Sequence, residues 1–300
     1  MTTCKKRIIS ALIALMMVFS ATILSSCGEE PEYPVTVGGI TVNSEPHNAV
    51  ILDKNTADII SCIGYDVKMS GRSDEVDQKG FKVVPSVGTA AVPSVSAIEK
   101  LNADIVFAND ALDPTVLSEL EGKGITVVAL EPANTPKQLK NLYCKLGMIL
   151  GGKNEGKQTS EEAFDDLYNT YKELRDAAEN STNTQITVCY LYMDNGVLKT
   201  TAKGSWGNTM LSYTGTFNVF QNETSDTVDP EMLRRANPAY IFCDCEEVVE
   251  YLKTSDVLGH LDALNGKTVV VPYSDFMTQG YTGLSALRTI LNTIFPSGDD

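Results

Sequence analysis

Short apolar runs alternate with amphipathic stretches from residue 49 onwards, and this alternation predicts strands and helices in turn. Residues 49–52 read as strand and 56–63 as helix. Residues 67–69 read as strand, with a polar loop starting at Gly71. Helix is predicted over 94–101, 114–121 and 137–150, and strand over 104–108 and 125–130. Such repetition predicts a parallel sheet covered on both faces. Ahead of it, residues 35–42 alternate around Gly38-Gly39, the pattern of a small hairpin.

The rhythm breaks between Thr159 and Asn180. There Ala163, Phe164, Leu167, Tyr168, Tyr171, Leu174, Ala177 and Ala178 form one apolar stripe of helical period. Thr159 and Glu162 have capping-box spacing. At 1.5 Å per residue this helix is roughly 33 Å long, the shape of a connection between two halves. Strands are then predicted over 186–192, 240–243 and 268–271, with helices over 208–213, 230–235, 246–253 and 284–294. The expected fold is α/β: two Rossmann-like lobes with central sheets, joined by one long rigid helix, with a ligand cleft between them. Its expected boundaries are 48–152 for the N-terminal lobe, 153–182 for the linker helix and 183–300 for the C-terminal lobe.

The first 26 residues follow a different logic. Lys5, Lys6 and Arg7 precede an apolar run over 8–24 that is too short to span a bilayer comfortably and has the tripartite order of a secretory signal. It ends in Leu24-Ser25-Ser26-Cys27, which resembles the bacterial lipobox. Cleavage before Cys27, with lipid on its thiol, is therefore expected. Residues 1–26 are then the signal peptide, and 27–47 a charged, proline-rich tether plus the small hairpin. Each buried lipid methylene adds about 0.8 kcal/mol, so two or more acyl chains make a durable anchor. An extracytoplasmic protein, lipid-anchored to the cell membrane, is expected.

Removing residues 1–26 takes away three positive charges and no negative ones, moving the net charge from −15 to −18. That acidity argues against nucleic acid as a partner. The roughly 270 residues that follow exceed one typical domain, in keeping with two lobes. The cysteines after Cys27 are odd in number and irregularly spaced, unlike a disulfide framework. Cys243-Asp244-Cys245 reads as a pair of semi-buried thiols in preference to a metal site. With only His47 and His260, neither a three-histidine metal site nor a catalytic triad is readily assembled. There is no Gly-x-Ser-x-Gly elbow and no glycine-rich phosphate loop, so an enzyme is not expected, and neither is a cofactor.

Several ordered motifs together resemble the substrate-binding proteins of ABC importers for cobalamin, ferric siderophores and haem. Val50-Ile51-Leu52-Asp53-Lys54-Asn55-Thr56 followed by Ile63-Gly64 is similar to the family's opening strand, turn and helix. Gly71-Arg72-Ser73-Asp74 resembles its first pocket loop, and Pro85-Ser86-Val87-Gly88 introduces a further loop. Ile98-Glu99-Lys100-Leu101-Asn102-Ala103-Asp104-Ile105-Val106 resembles its helix-then-strand signature, with Ala103 in place of the usual proline. Gly204-Ser205-Trp206-Gly207 resembles the pocket loop of the second lobe, and Asp229-Pro230-Glu231 with Asn237-Pro238-Ala239 repeats the signature. The resemblance covers nearly all of residues 48–296. It implies a non-enzymatic receptor, expected as a monomer, that holds one ligand between its lobes and hands it to ABC permease subunits.

Ligands of open α/β sheets sit beyond the carboxyl ends of the strands. That rule selects Asp53, Asn55, Arg72, Ser73, Thr89, Ala90 and Asn109 from the first half, with Asp74, Ala91 and Glu131 nearby. From the second it selects Tyr192, Ser205, Trp206 and Tyr273, with Met193 and Asp244 nearby. Trp206, the single tryptophan, is read as a cleft residue, against the alternative of a plug within its lobe. Arg72 either meets a ligand anion or pairs with Asp74, Glu75 or Asp77. Tyr273 and Tyr281 either line the cleft or cap helices. The resemblance implies a methionine in the first-lobe loop of some haem receptors, and Gly88-Thr89-Ala90-Ala91 has none. Few basic residues beyond Arg72 and Lys203 are available for an anionic catecholate. A corrinoid such as cobalamin is therefore expected ahead of a ferric siderophore, with haem last. The resemblance also implies one permease-docking glutamate per lobe. Glu231 matches the second; Ser96 stands at the first, with Glu99 one helical turn on. A sensory or adhesion module with the same fold and no transport role is the alternative that Ser96 favours.

Overall fold

Gly38 and Gly39 adopt φ of 59° and 84°, the left-handed pair that folds β1 (Val35–Val37) back on β2 (Ile40–Val42) with Val35 opposite Val42. The computed structural model describes residues 31–182 and 184–296. Cys27 and residues 1–26, expected to be a signal peptide, lie outside the described residues. Among those residues, no helix is long and apolar enough to cross a membrane.

In the first lobe, β3 (Ala49–Ile51), β4 (Met69–Arg72), β5 (Ile105–Ala108) and β6 (Thr126–Ala129) form a parallel sheet ordered β4-β3-β5-β6. Alternate residues feed opposite faces. Val50 and Val106 enter one apolar cluster, and Ile51 and Phe107 enter another. Helices α1 (Lys54–Ile63), α2 (Val95–Lys100) and α3 (Pro114–Gly122) accompany the sheet. The strand expected over 67–69 lies later. A 3-10 turn occupies Asp66–Lys68 and leaves Val67 86% exposed, while Met69 and Gly71 are the inward-facing pair.

Helix α4 (Pro136–Gly151) and helix α5 (Lys157–Ser181) are joined by a π-turn at Gly152–Gly156 and lie antiparallel. Lys140 reaches Asp165 at 2.9 Å, and the Tyr143 and Phe164 rings meet edge-on at 5.8 Å. This close approach requires glycine: a Cβ at Gly147 would lie 2.2 Å from the Gly156 carbonyl oxygen. The 25 residues of α5 span about 38 Å. Beyond α4, the helix stacks Tyr171 on Tyr213 of the second lobe at 5.1 Å, so it touches both lobes.

The second lobe contains β7 (Thr187–Asp194), β8 (Val197–Thr200), β9 (Phe217–Asn218), β10 (Tyr240–Cys243) and β11 (Thr268–Val270). Their order is β11-β10-β7-β8, with β9 beside β7. Only β8 is antiparallel, turned by Asn195 and Gly196 at φ of 48° and 77°. Helices α6 (Trp206–Ser212), α7 (Pro230–Ala236), α8 (Glu246–Thr254) and α9 (Tyr273–Phe276) accompany it, and the last helix, α10 (Tyr281–Ile294), packs against α1 of the first lobe, α5 and α9. One apolar cluster runs without interruption from Ile51 and Phe107 through Tyr143 and Tyr171 to Tyr190, Trp206 and Ile290. The two lobes therefore share a core.

Candidate functional site: the facing edges of the two sheets

The carboxyl ends of the two sheets face each other, because residues following the strands of one lobe bond to residues following those of the other. Lys54, just beyond β3, reaches Asp275 of α9 at 2.6 Å and Asp77 of its own lobe at 2.7 Å. Burial opposes its charge, but the bonds to Asp275 and Asp77 hold its pKa above the usual value. Gln279, fully buried, is the second tie. Its side-chain oxygen accepts from Asn55 Nδ2 (3.2 Å) and from the Ala133 N–H (3.0 Å), and its amide nitrogen donates to the Ala133 carbonyl. The Gln279 N–H in turn donates to Asn55 Oδ1 at 2.8 Å. Asp58 accepts from the N–H (3.0 Å) and hydroxyl (2.7 Å) of Thr282 at the start of α10. Thr209 of α6 donates to the Asn134 carbonyl at 2.9 Å. Beside the Lys54 bridge, an open groove of about 660 Å³ runs between residues 77–82 and the Asp275, Tyr281 and Ser285 side.

On the first lobe, Asp53 caps α1 by accepting from Thr56 and also accepts from Asn109 Nδ2 at 3.1 Å, which places both polar groups at the sheet edge. Thr89 is exposed, and its hydroxyl accepts from the Val92 N–H. Three expectations change here. Ser73 is fully buried and donates to the Leu52 carbonyl, because it continues the inward-facing alternation of Met69 and Gly71. Ala90 is buried as well, its N–H held by Glu75. Arg72 pairs with none of Asp74, Glu75 and Asp77: its Nε donates to the carbonyls of Phe81 and Val84 and its Nη1 to that of Ser73, at 2.9–3.1 Å, and so it fixes the loop that follows. Asn55 faces the lobe junction through its bonds to Gln279.

On the second lobe, Tyr192 and Tyr273 are half-buried and stack at 4.2 Å, with Tyr190 and Phe276 stacked behind them at 4.3 Å. Asp244 anchors the pair by accepting from the Tyr273 N–H at 2.6 Å. Burial raises the pKa of both tyrosine hydroxyls. Ser205 caps α6 through the Asn208 N–H and is half-buried. Trp206 is a correction. It is 1% exposed inside the shared core, and its indole N–H has no hydrogen-bond partner. At the first position of α6, beside buried Met210 and Phe276, it is turned into its lobe.

The docking candidates are exposed, and both are already paired. Glu99 binds Lys123 at 2.9 Å and Glu231 binds Arg234 at 2.9 Å. Ser96 is exposed and its hydroxyl bonds Ser94. Among the described residues, no group of three or more His, Cys, Asp or Glu is placed to hold a metal ion. Cys243 is buried, which pushes its thiol up to about 12. Lys54 and Gln279 were not singled out from the sequence. Lys54 sits in the polar turn after β3, whereas Gln279 carries no local signal, since its partners lie 224 and 146 residues away.

Residues 40–274 match the family model described as periplasmic binding protein. No curated protein matches the sequence. Among solved structures, the chain is similar to a periplasmic haem-binding protein from Pseudomonas aeruginosa, with TM-score 0.71 and 21% identity over 85% of this chain and 94% of that one. It is also similar to a possible iron-binding periplasmic solute-binding protein from Staphylococcus epidermidis, with TM-score 0.66 and 18% identity over 84% and 100%. The periplasmic vitamin B12-binding protein BtuF of Vibrio cholerae aligns with TM-score 0.61 and 17% identity over 83% and 96%.

Proposed function

The chain belongs to the periplasmic binding protein family, and from that premise we propose that it is the receptor of an ABC importer, binding a corrinoid or a ferric siderophore without altering it. The observation that carries this reading is the pair of facing sheet edges, tied at Lys54–Asp275 and Asn55–Gln279–Ala133 and bordered by Asp53, Asn109, Tyr192, Ser205 and Tyr273. With Arg72 giving Nε and Nη1 to backbone carbonyls, and Lys203 the other basic candidate beside Ser205, few positive groups are at hand for a multiply anionic chelate, which keeps the corrinoid first and haem last. The receptor is held outside the cell by lipid on Cys27 and docks its permease through Glu231 and Glu99. Calorimetric titration of residues 28–300 with cobalamin, ferric hydroxamate, ferric catecholate and haemin tests the cargo. Saturable binding of a corrinoid or siderophore at micromolar concentration or below supports the reading, and silence toward all four removes it. Radiolabelled palmitate incorporation that is lost in Cys27→Ala tests the anchor. The non-transport alternative rests on Ser96 and on the engagement of Glu99 by Lys123. It gains if ligand binds while Glu231→Arg and Glu99→Arg leave uptake unchanged.

A further inference from the structure

The second-lobe edge of the cleft is both aromatic and acidic. Tyr192 and Tyr273 form a stacked pair backed by Tyr190 and Phe276, so their ring faces are held in place. Asp244 lies against the Tyr273 backbone, and Asp194 ends β7 two residues beyond Tyr192. Burial holds the Tyr273 hydroxyl above its usual pKa against the lowering bond with Tyr192, and Asp226, Asp244 and Asp194 add to the rise. Three neighbouring cations are engaged: Lys199 is bound by Asp226 at 2.8 Å, Lys54 lies between Asp77 and Asp275, and Arg72 gives Nε and Nη1 to backbone carbonyls. The exposed lysines nearby lie away from the tyrosine pair in sequence, Lys203 beside Ser205 and Lys79 and Lys82 along the groove beside the Lys54 bridge. On the facing lobe, Asp53 accepts only from neutral donors, Thr56 and Asn109. Among the described residues, none forms an ion pair with Asp53, Asp194 or Asp244. An aromatic face attracts a cation within about 6 Å of its centre, and neighbouring carboxylates add to that attraction.

We propose that the ligand taken between the lobes carries net positive charge, with its cationic group set against the Tyr192–Tyr273 pair. The inference rests on the cleft reading given under Proposed function and narrows it: the anionic members of the chelate classes are rejected, and within a class of constant shape the positive member is preferred.

The test uses residues 28–300, which contain the whole compact unit Tyr33–Asp300, and probe pairs that differ mainly in charge. One pair is a linear ferric trihydroxamate with a free ammonium and the same chelate with that amine acetylated. The other is aquocobalamin and cyanocobalamin. At low ionic strength the cationic member of whichever class binds should be about tenfold tighter. The gap should shrink in about 0.5 M salt and narrow in Asp194→Asn, whose residue holds no inter-lobe bond. Equal or tighter binding of the neutral member overturns the inference and leaves the receptor reading intact. If no chelate binds, the cargo reading fails by itself. The charge inference is then decided by two small probes. Benzyltrimethylammonium should shift the ring resonances of Tyr192 and Tyr273 while benzenesulfonate does not, and the reverse result, or no shift from either, overturns it.

Discussion

Replacing Gln279 by alanine removes the side chain that joins three segments at the lobe junction. The residue is fully buried and Ala133 is 2% exposed, so neither has water at hand to take over. The substitution strands the Ala133 N–H and C=O, each at a cost of about 1–3 kcal/mol when buried without a partner. Asn55 Nδ2 also loses its acceptor, but Asn55 is half-buried and can turn toward solvent. The expected loss is therefore roughly 3–5 kcal/mol, a large share of the stability of an ordinary domain. Urea unfolding followed by circular dichroism measures it. Asn55→Ala on its own should cost less, and the double variant should fall short of the sum by about 0.5–3 kcal/mol, since the two side chains share a bond. A loss below about 1 kcal/mol with an unchanged m-value, or strict additivity, would refute the view that this junction is an ordered, dry network.

Burial raises the carboxyl pKa of Asp58 against the opposing bonds from Thr282, so the folded state favours its protonated form. A folded pKa above the unfolded value of about 3.9 means that an unfavourable contribution grows as pH rises through and beyond that value. Relative to Asp58→Asn, the native protein should lose stability as pH rises above about 4, and a pH-independent difference in denaturant midpoints would contradict this. Trp206 should emit to the blue and resist acrylamide quenching, and Trp206→Ala should cost roughly 3–5 kcal/mol in the same unfolding assay. Gly147→Ala puts a methyl group 2.2 Å from the Gly156 carbonyl oxygen, so it should force α4 and α5 apart at a cost of roughly 1–3 kcal/mol, read as a lowered thermal midpoint.

The elements whose apolar period is long or strict were legible from the residues alone. The stripe over 159–180 marks α5 to within two residues at each end, and the alternation around Gly38-Gly39 marks the first hairpin. The β7–β8 hairpin, absent from the predicted strands, also has a sequence signal: Asn195-Gly196 is a type I′ turn pair between two apolar runs. The site was less accessible. Position after a strand selects Asp53, Asn109 and Tyr273, which stand at the sheet edge, and by the same rule Ser73 and Trp206, which are buried. Whether a side chain after a strand turns outward or inward depends on one residue of register and on the next helix, and neither leaves a mark in composition. Arg72 shows the complementary problem. Its charge invites an anion or an acidic partner, yet backbone carbonyls brought close by the 73–84 loop satisfy it first.

The shared core limits what ligand binding can do to the lobes. Separating them would break the bonds at Gln279, Lys54 and Asp58 and expose apolar surface around Tyr171, Tyr213 and Trp206. Exposing even about 200 Å² of apolar surface costs roughly 5 kcal/mol. A ligand shifts a conformational equilibrium only by its difference in affinity for the two states, so an open state this unfavourable is scarcely populated before or after binding. Capture in the cleft should then proceed with side-chain and loop adjustment at Tyr192, Tyr273 and residues 88–92, and without a large hinge motion. Small-angle scattering with and without a saturating ligand should give radii of gyration that agree within error. A compaction of more than about 1 Å, set against the roughly 19 Å expected for a compact chain of this length, would mean that the core between the lobes opens in solution and that the ties described here are made only in the bound form.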